Sequence, residues 1–255
     1  MNGKIYLIPG ALAGTEQKFY QPLIDVIKDS YGDWPVENLR AGEDWNPAEF
    51  ASQIREDNAE KKVLICISLG ALVGNILADD EDTDVYYVCP YLGVDSVRRN
   101  SAVNIFRGVI NVMMSVIMFI SKPFKKHRFW PLFGGTKPDG WFLSIYAIAR
   151  QYKAASTNAG ITKNKVDGVV YSLGDKIVDP DVAASLTNYA AGASRGSGEY
   201  PKHANFRPDK VGRFLLRAFS KTPLSSFSSD GEAYRRAFSS VVEASLRNKA
   251  SNSTL

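Results

Sequence analysis

Apolar residues come in short blocks separated by longer amphipathic stretches. Ile5 to Ile8 is an apolar run stopped by Pro9-Gly10. Phe19, Leu23, Ile24 and Ile27 then recur at helical spacing. PVENLR predicts a brief second strand, and AEFASQIRED a second helix. The run from Lys62 to Ser68 predicts a buried strand and Ala71 to Ala78 a helix. Asp84 to Cys89 is the next strand, ended by Pro90, and Asp167 to Leu173 is a fourth, closed by Gly174. Lys210 to Ser220 and Glu232 to Arg247 predict closing helices, and KASNSTL a frayed polar tail. Strands alternating with helices predict an α/β fold with a doubly wound, mainly parallel sheet. Ligands in such sheets bind at the carboxyl ends of the strands, so informative residues should follow strands directly.

The alternation breaks from about 96 to 164, which is too long for a plain crossover. The expectation is one domain over 1–255, with this segment as a helical cap over the strand ends. From Ala102 to Ser121 the polar positions Asn104, Arg107, Asn111 and Ser115 form one narrow helical stripe in apolar surroundings. A helix sandwiched between sheet and cap would look like this. So would a lid that lines an acyl pocket on one side and meets lipid on the other, a role to which pliable Met side chains are suited.

The 255 residues are 45% hydrophobic and 23% charged, which fits a globular domain and excludes disordered and disulfide-scaffold classes. Cys66 and Cys89, both inside apolar runs, are expected to be reduced core thiols of a cytoplasmic protein. MNGKIYLIPG lacks the apolar core of a signal peptide, and no stretch is apolar for long enough to predict a membrane span. The net charge of +4 is unevenly distributed. Between Ser96 and Lys165 twelve basic residues face one acid, Asp139, a net +11, and the rest of the chain is negative. With KPFKKHRFW mixing cations and aromatics, this predicts peripheral contact with an anionic membrane. No nucleic-acid motif accompanies the charge, and no nucleic-acid partner is expected.

The candidate chemistry follows the strands. In KVLICISLGALVGNILAD, Ser68 joins a buried strand to a helix that begins with Leu69-Gly70-Ala71 and contains Gly74. A serine here could equally be an ordinary N-cap. The strand DGVVYSL ends in Gly174-Asp175, a generic turn pair in itself. Asp179 and Asp181, just beyond, suit a helix start. The chain has two histidines. His127 lies among cations with no nearby carboxylate, and His203 lies 28 residues after Asp175.

In these residues the sequence resembles the α/β-hydrolase family. Its nucleophile elbow reads G-x-S-x-G between a strand and a helix; here Cys66 stands at the first glycine and Gly70 at the second. LIPGALAG resembles the family's oxyanion turn, with Pro9 in place of the usual His. The order Ser, Asp, His is also the family's. The resemblance implies Ser68 as nucleophile, Asp175 as acid, His203 as base, and the N–H groups of Ala11 and Leu69 as oxyanion donors. Asp95 is the rival acid, since some members carry it after the preceding strand. The first two strands usual in the family would be missing, making this a compact member. The implied activity is hydrolysis of a small-molecule carboxylic ester or thioester with an apolar acyl part, without metal or organic cofactor. An acyltransferase with the same triad and a non-catalytic binding protein of the same fold are the alternatives.

Overall fold

The computed structural model describes residues 2–10, 20–39, 46–93, 96–97, 107–124, 146, 149–150, 153, 166–195, 199–201 and 229–252. Among the described residues six strands form one sheet: β1 (Gly3–Ile8), β2 (Val36–Asn38), β3 (Lys61–Ile67), β4 (Thr83–Val88), β5 (Gly168–Tyr171) and β6 (Ala190–Gly192). Their order is β2-β1-β3-β4-β5-β6, and every pairing is parallel. The helices are α1 (Gln21–Tyr31), α2 (Pro47–Arg55), α3 (Ala71–Leu77), α4 (Arg107–Ser121), α5 (Pro180–Ala184) and α6 (Ser229–Asn252). The four strands expected from apolar runs and the brief PVENLR strand are all present. β6 was not anticipated; α5 begins at the helix start that Asp179 and Asp181 suggested. The expected helix from Lys210 to Ser220 lies outside the described residues.

A parallel sheet is buried on both faces, so its strands are continuously apolar. Ile5, Leu7, Val63, Ile65, Tyr86, Val88 and Val170 pack against α1 and α6. Tyr6, Ile8, Leu64, Cys66, Val85, Tyr87 and Val169 pack on the other face against α2, α3 and α5. Two helices start at designed-in stops. Asn46 Oδ1 accepts from Ala48 N ahead of Pro47, and Asp179 Oδ1 accepts from Asp181 N ahead of Pro180. Asp179 is therefore an N-cap, as its sequence position suggested.

One expectation is corrected. Lys249 to Asn252 is not a frayed tail but the last turn of α6. The cause is electrostatic. Lys249 Nζ lies 2.6 Å from Asp84 Oδ1 and 2.6 Å from Asp167 Oδ1, at the amino ends of β4 and β5. Lys61 also pairs with Asp84 at 2.6 Å, and the Tyr31 hydroxyl donates to the same carboxylate at 2.8 Å. Burial alone would raise Asp84, but Lys249 and Lys61 together hold its carboxyl below the usual range. Asp167 is shifted upward, by burial and by the neighbouring Asp84 charge.

Candidate active site

After β1 the chain goes outward to β2, then returns across β1 to form β3 and proceeds the other way to β6. The direction reverses between β1 and β3. At such a point the loops diverge and leave a crevice at the carboxyl ends of the strands. Two candidate segments meet at this point of the sheet. Gly10 follows β1 and Ser68 follows β3, and a methyl group on Gly10 would lie 2.7 Å from Ser68 Cβ and 3.3 Å from Ser68 Oγ.

Ser68 has φ = 50°. For a residue with a side chain this left-handed conformation is uncommon and strained. The strand enters extended at Ile67, φ −111°, and α3 begins at Ala71. The whole reversal is packed into Ser68–Gly70. A methyl group on Gly70 would lie 2.1 Å from the Ile8 carbonyl oxygen, so only glycine lets the turn sit this close to β1. Ser68 is therefore not a plain N-cap, which would keep an extended backbone. It is partly exposed, between buried Ile67 and buried Leu69.

Cys66, the departure from the G-x-S-x-G pattern, is accommodated from the helix side. Its side chain is fully buried, and a methyl group on Gly74 would lie 2.8 Å from its Sγ. The missing Cβ on α3 leaves the room that a glycine in the strand would otherwise provide. Burial pushes the Cys66 thiol up, so it stays protonated. Both cysteines are buried, as expected, and neither is in a disulfide.

Asp175 is buried, with 2% of its surface exposed, beyond the carboxyl end of β5. Its Oδ1 accepts from Ile177 N at 2.8 Å and Val178 N at 3.0 Å, which fixes the carboxylate against its own turn. The neighbouring loops are tied to this turn. Asp179 N donates to Ser96 O at 2.8 Å, and Val97 bridges Val178. The β4 loop is bound to the Ser68 turn as well, since Tyr91 N donates to Ser68 O at 2.9 Å. Ser68 and Asp175 thus belong to one hydrogen-bonded edge, two strands apart in the sheet.

The segment leading toward His203 reaches the same edge. Ser172 Oγ donates to Pro201 O at 2.5 Å. Gly174 is so close to Tyr200 and Pro201 that a methyl group there would lie 2.8 Å from Pro201 O. Upstream, Arg195 Nε donates to buried Asp230 Oδ1 at 2.6 Å, anchoring the segment to the start of α6. His203, Ala11, the rival acid Asp95 and the second histidine His127 lie outside the described residues. Leu69, the other expected oxyanion donor, is in the turn that follows Ser68.

Cys89 was expected in the core, but its backbone conformation and its partner were not foreseen. It directly follows β4 with φ = 48°, a second strained position, one strand over from Ser68. Its Sγ lies 3.1 Å from the hydroxyl of buried Tyr234 on α6. Burial, then Cys89 and the Asp175 and Asp230 charges, raise the Tyr234 phenol well above its usual range. The Cys89-Pro90 break was the available signal, but nothing local to it points to Tyr234. Among the described residues no His, Cys, Asp and Glu group is arranged to hold a metal.

No protein-family model and no curated protein matches the sequence. Solved structures match it in shape. An alpha/beta hydrolase fold protein from Burkholderia ambifaria is 9% identical with a TM-score of 0.50, covering 87% of this chain and 91% of that one. A soluble variant of monoglyceride lipase from Saccharomyces cerevisiae is 13% identical with a TM-score of 0.47, covering 87% and 85%. A pyrethroid hydrolase from Sphingobium faniae is 14% identical with a TM-score of 0.44, covering 88% and 99%. The parallel sheet with its reversal between β1 and β3, and the likeness to the Burkholderia protein, make this an α/β-hydrolase fold.

Proposed function

We propose that the protein is a serine hydrolase acting on a carboxylic ester or thioester with an apolar acyl part. The observation that carries this reading is the backbone of Ser68. A serine held at φ = 50° on a strand-to-helix reversal is a strained position that an ordinary cap does not need. In this reading the strain serves to present the hydroxyl at the carboxyl edge of the sheet, where a substrate can reach it.

In this reading Ser68 Oγ attacks the substrate carbonyl carbon while His203 accepts its proton. The carbonyl oxygen becomes an oxyanion, stabilised by the N–H groups of Leu69 and Ala11; one such donor contributes roughly 3 kcal/mol. The tetrahedral intermediate collapses, the C–O or C–S bond to the leaving group breaks, and His203 returns its proton to that group. Water, deprotonated by His203, then releases the acid and restores Ser68. Asp175 orients the imidazole and stabilises its charged form. Its support is the fixed carboxylate and the path of the chain. Tyr200 and Pro201 lie on Gly174, and His203 follows Pro201 by two residues, at most about 7 Å of chain. No step calls for a metal or organic cofactor. The chain is one domain, with 96–164 as a cap that leaves the sheet at the carboxyl end of β4, beside the nucleophile turn. The cap's Met, Val, Ile and Phe content supports an apolar acyl group.

The test is covalent labelling of the folded protein with a fluorophosphonate, followed by peptide mapping. The adduct is expected on Ser68 and absent in Ser68→Ala. An adduct on another serine, or none on folded wild type, refutes the proposal.

A further inference from the structure

The amphipathic rule places a helix's polar stripe toward water and its apolar stripe toward protein. In α4 the described residues are arranged the other way round. Its exposed large residues are Val109, Val112, Met113, Val116, Phe119 and Ile120, from 48% exposed at Met113 to 82% at Phe119. Their spacings of 3, 1, 3, 3 and 1 put them on one face. Asn111 and Ser115, on the opposite side, are partly buried, as are Met114, Ile117 and Met118. Water therefore meets the most apolar side of the helix, and a contiguous stripe of this kind marks an interaction surface.

We propose that this stripe seats the protein on an anionic lipid bilayer, with α4 lying in the plane of the interface. Length excludes a crossing. Fifteen residues make a helix of about 22 Å, against a hydrocarbon core of roughly 30 Å. Among the described residues no helix is long and apolar enough to span a membrane. Charge selects the occupant. α4 contains no acidic residue, Lys122 follows it directly, and Lys125, Lys126 and Arg128 come next in the chain. The surrounding segment, 96–165, carries the net +11 noted above. A second copy docked through the same stripe would bring two such segments together and repel. An anionic headgroup layer instead attracts each of these cations, while the apolar stripe enters the acyl boundary. The inference does not rest on the catalytic reading; it needs only the helix and its charge.

The experiment is co-sedimentation of the full chain with vesicles of phosphatidylcholine, or of phosphatidylcholine with phosphatidylserine. Partitioning into the anionic vesicles is expected to exceed that into neutral ones by on the order of tenfold or more, and to fall as salt rises. Two variants divide the contributions. V112E with F119E, both at exposed positions, is expected to abolish sedimentation with circular dichroism and Tm unchanged. Lys122→Gln, Lys125→Gln, Lys126→Gln and Arg128→Gln together are expected to remove the preference for anionic vesicles. S68A is expected to bind as wild type does. Failure to sediment with either vesicle, or binding that survives V112E with F119E, overturns the proposal. So does a concentration-dependent dimer that V112E with F119E dissociates while vesicles have no effect, because the stripe is then covered by a second copy.

Discussion

At Ser68 and at Asp175 the chain makes opposite uses of a strand end. Ser68 is held in a left-handed backbone, at a cost of order 1–3 kcal/mol, and is partly exposed. Asp175 is buried, and two backbone N–H groups hold one of its oxygens in place. This geometry makes Asp175→Asn an informative change. The amide oxygen of Asn can accept the same two bonds from Ile177 and Val178, so the turn should persist. What is lost, on the proposed mechanism, is the charge that stabilises an imidazolium. On the proposed mechanism kcat on a short-chain aryl ester falls by about 10⁴, while the urea midpoint barely moves. Asp95→Asn is expected to be nearly silent. The reverse pattern would transfer the acid's role to Asp95. Local sequence pointed to Ser68 and Asp175 because each stands just past an apolar run. It could not report the φ of Ser68, which is set by Gly10, Gly70 and the Ile8 carbonyl packed around it.

Among the elements, α3 depends most on a single missing side chain. Replacing a helical glycine by alanine normally stabilises, by roughly 0.5–1 kcal/mol. At Gly74 the opposite is predicted. A methyl group there would lie 2.7 Å from a Tyr87 ring carbon, 2.8 Å from Cys66 Sγ and 2.9 Å from a Val85 methyl, all three in the sheet beneath. Overpacking of this kind costs about 1–3 kcal/mol, so Gly74→Ala should lower the urea midpoint. Part of that loss should be recovered in a Cys66→Ala background, where one of the three contacts is gone. A double-mutant cycle measures the coupling; strict additivity would mean that Cys66 and Gly74 do not share this space. The same pair shows why the motif was only partly legible. Small residues at both positions were readable, but their mutual compensation is a contact between strand and helix.

Across the whole molecule, the C-terminal helix is secured to the amino ends of β4 and β5 by Lys249, Asp84 and Asp167. The folded pKa of Lys249 is raised. Burial opposes its charge, but the carboxylates of Asp167 and Asp84 outweigh that. A raised lysine contributes stability that is fully present below its unfolded pKa and is lost as pH rises through the folded value. Asp84, held low, contributes above its unfolded pKa and loses that contribution as pH falls through its folded value. Asp167, shifted up, works against the folded state once it ionises. Lys249→Met is therefore expected to destabilise near neutral pH by about 1–3 kcal/mol, less than a fully buried pair would because the lysine side chain is 42% exposed. Urea melts of wild type and variant should converge in strong alkali and again in acid. A gap independent of pH would mean that packing, not charge, holds the helix end.

What the sequence determined by itself was the series of strands and helices, and the positions where chemistry follows a strand. Both are local properties: runs of β-branched and apolar residues, helical spacing, and Pro or Gly at the stops. Ser68, Asp175 and the buried cysteines were readable for that reason. Tertiary structure decided the rest. β6, three small residues Ala190–Gly192, has no strand pattern of its own and exists through pairing with β5. Lys249 looked like part of a polar tail until two aspartates far away in the chain made it the end of a helix. The strand order, and with it the meeting of Gly10 and Ser68, depends on which strand pairs with which. The pattern in α4 gave two faces but not their directions, because periodicity reports that two sides differ while only the neighbours decide which one meets water.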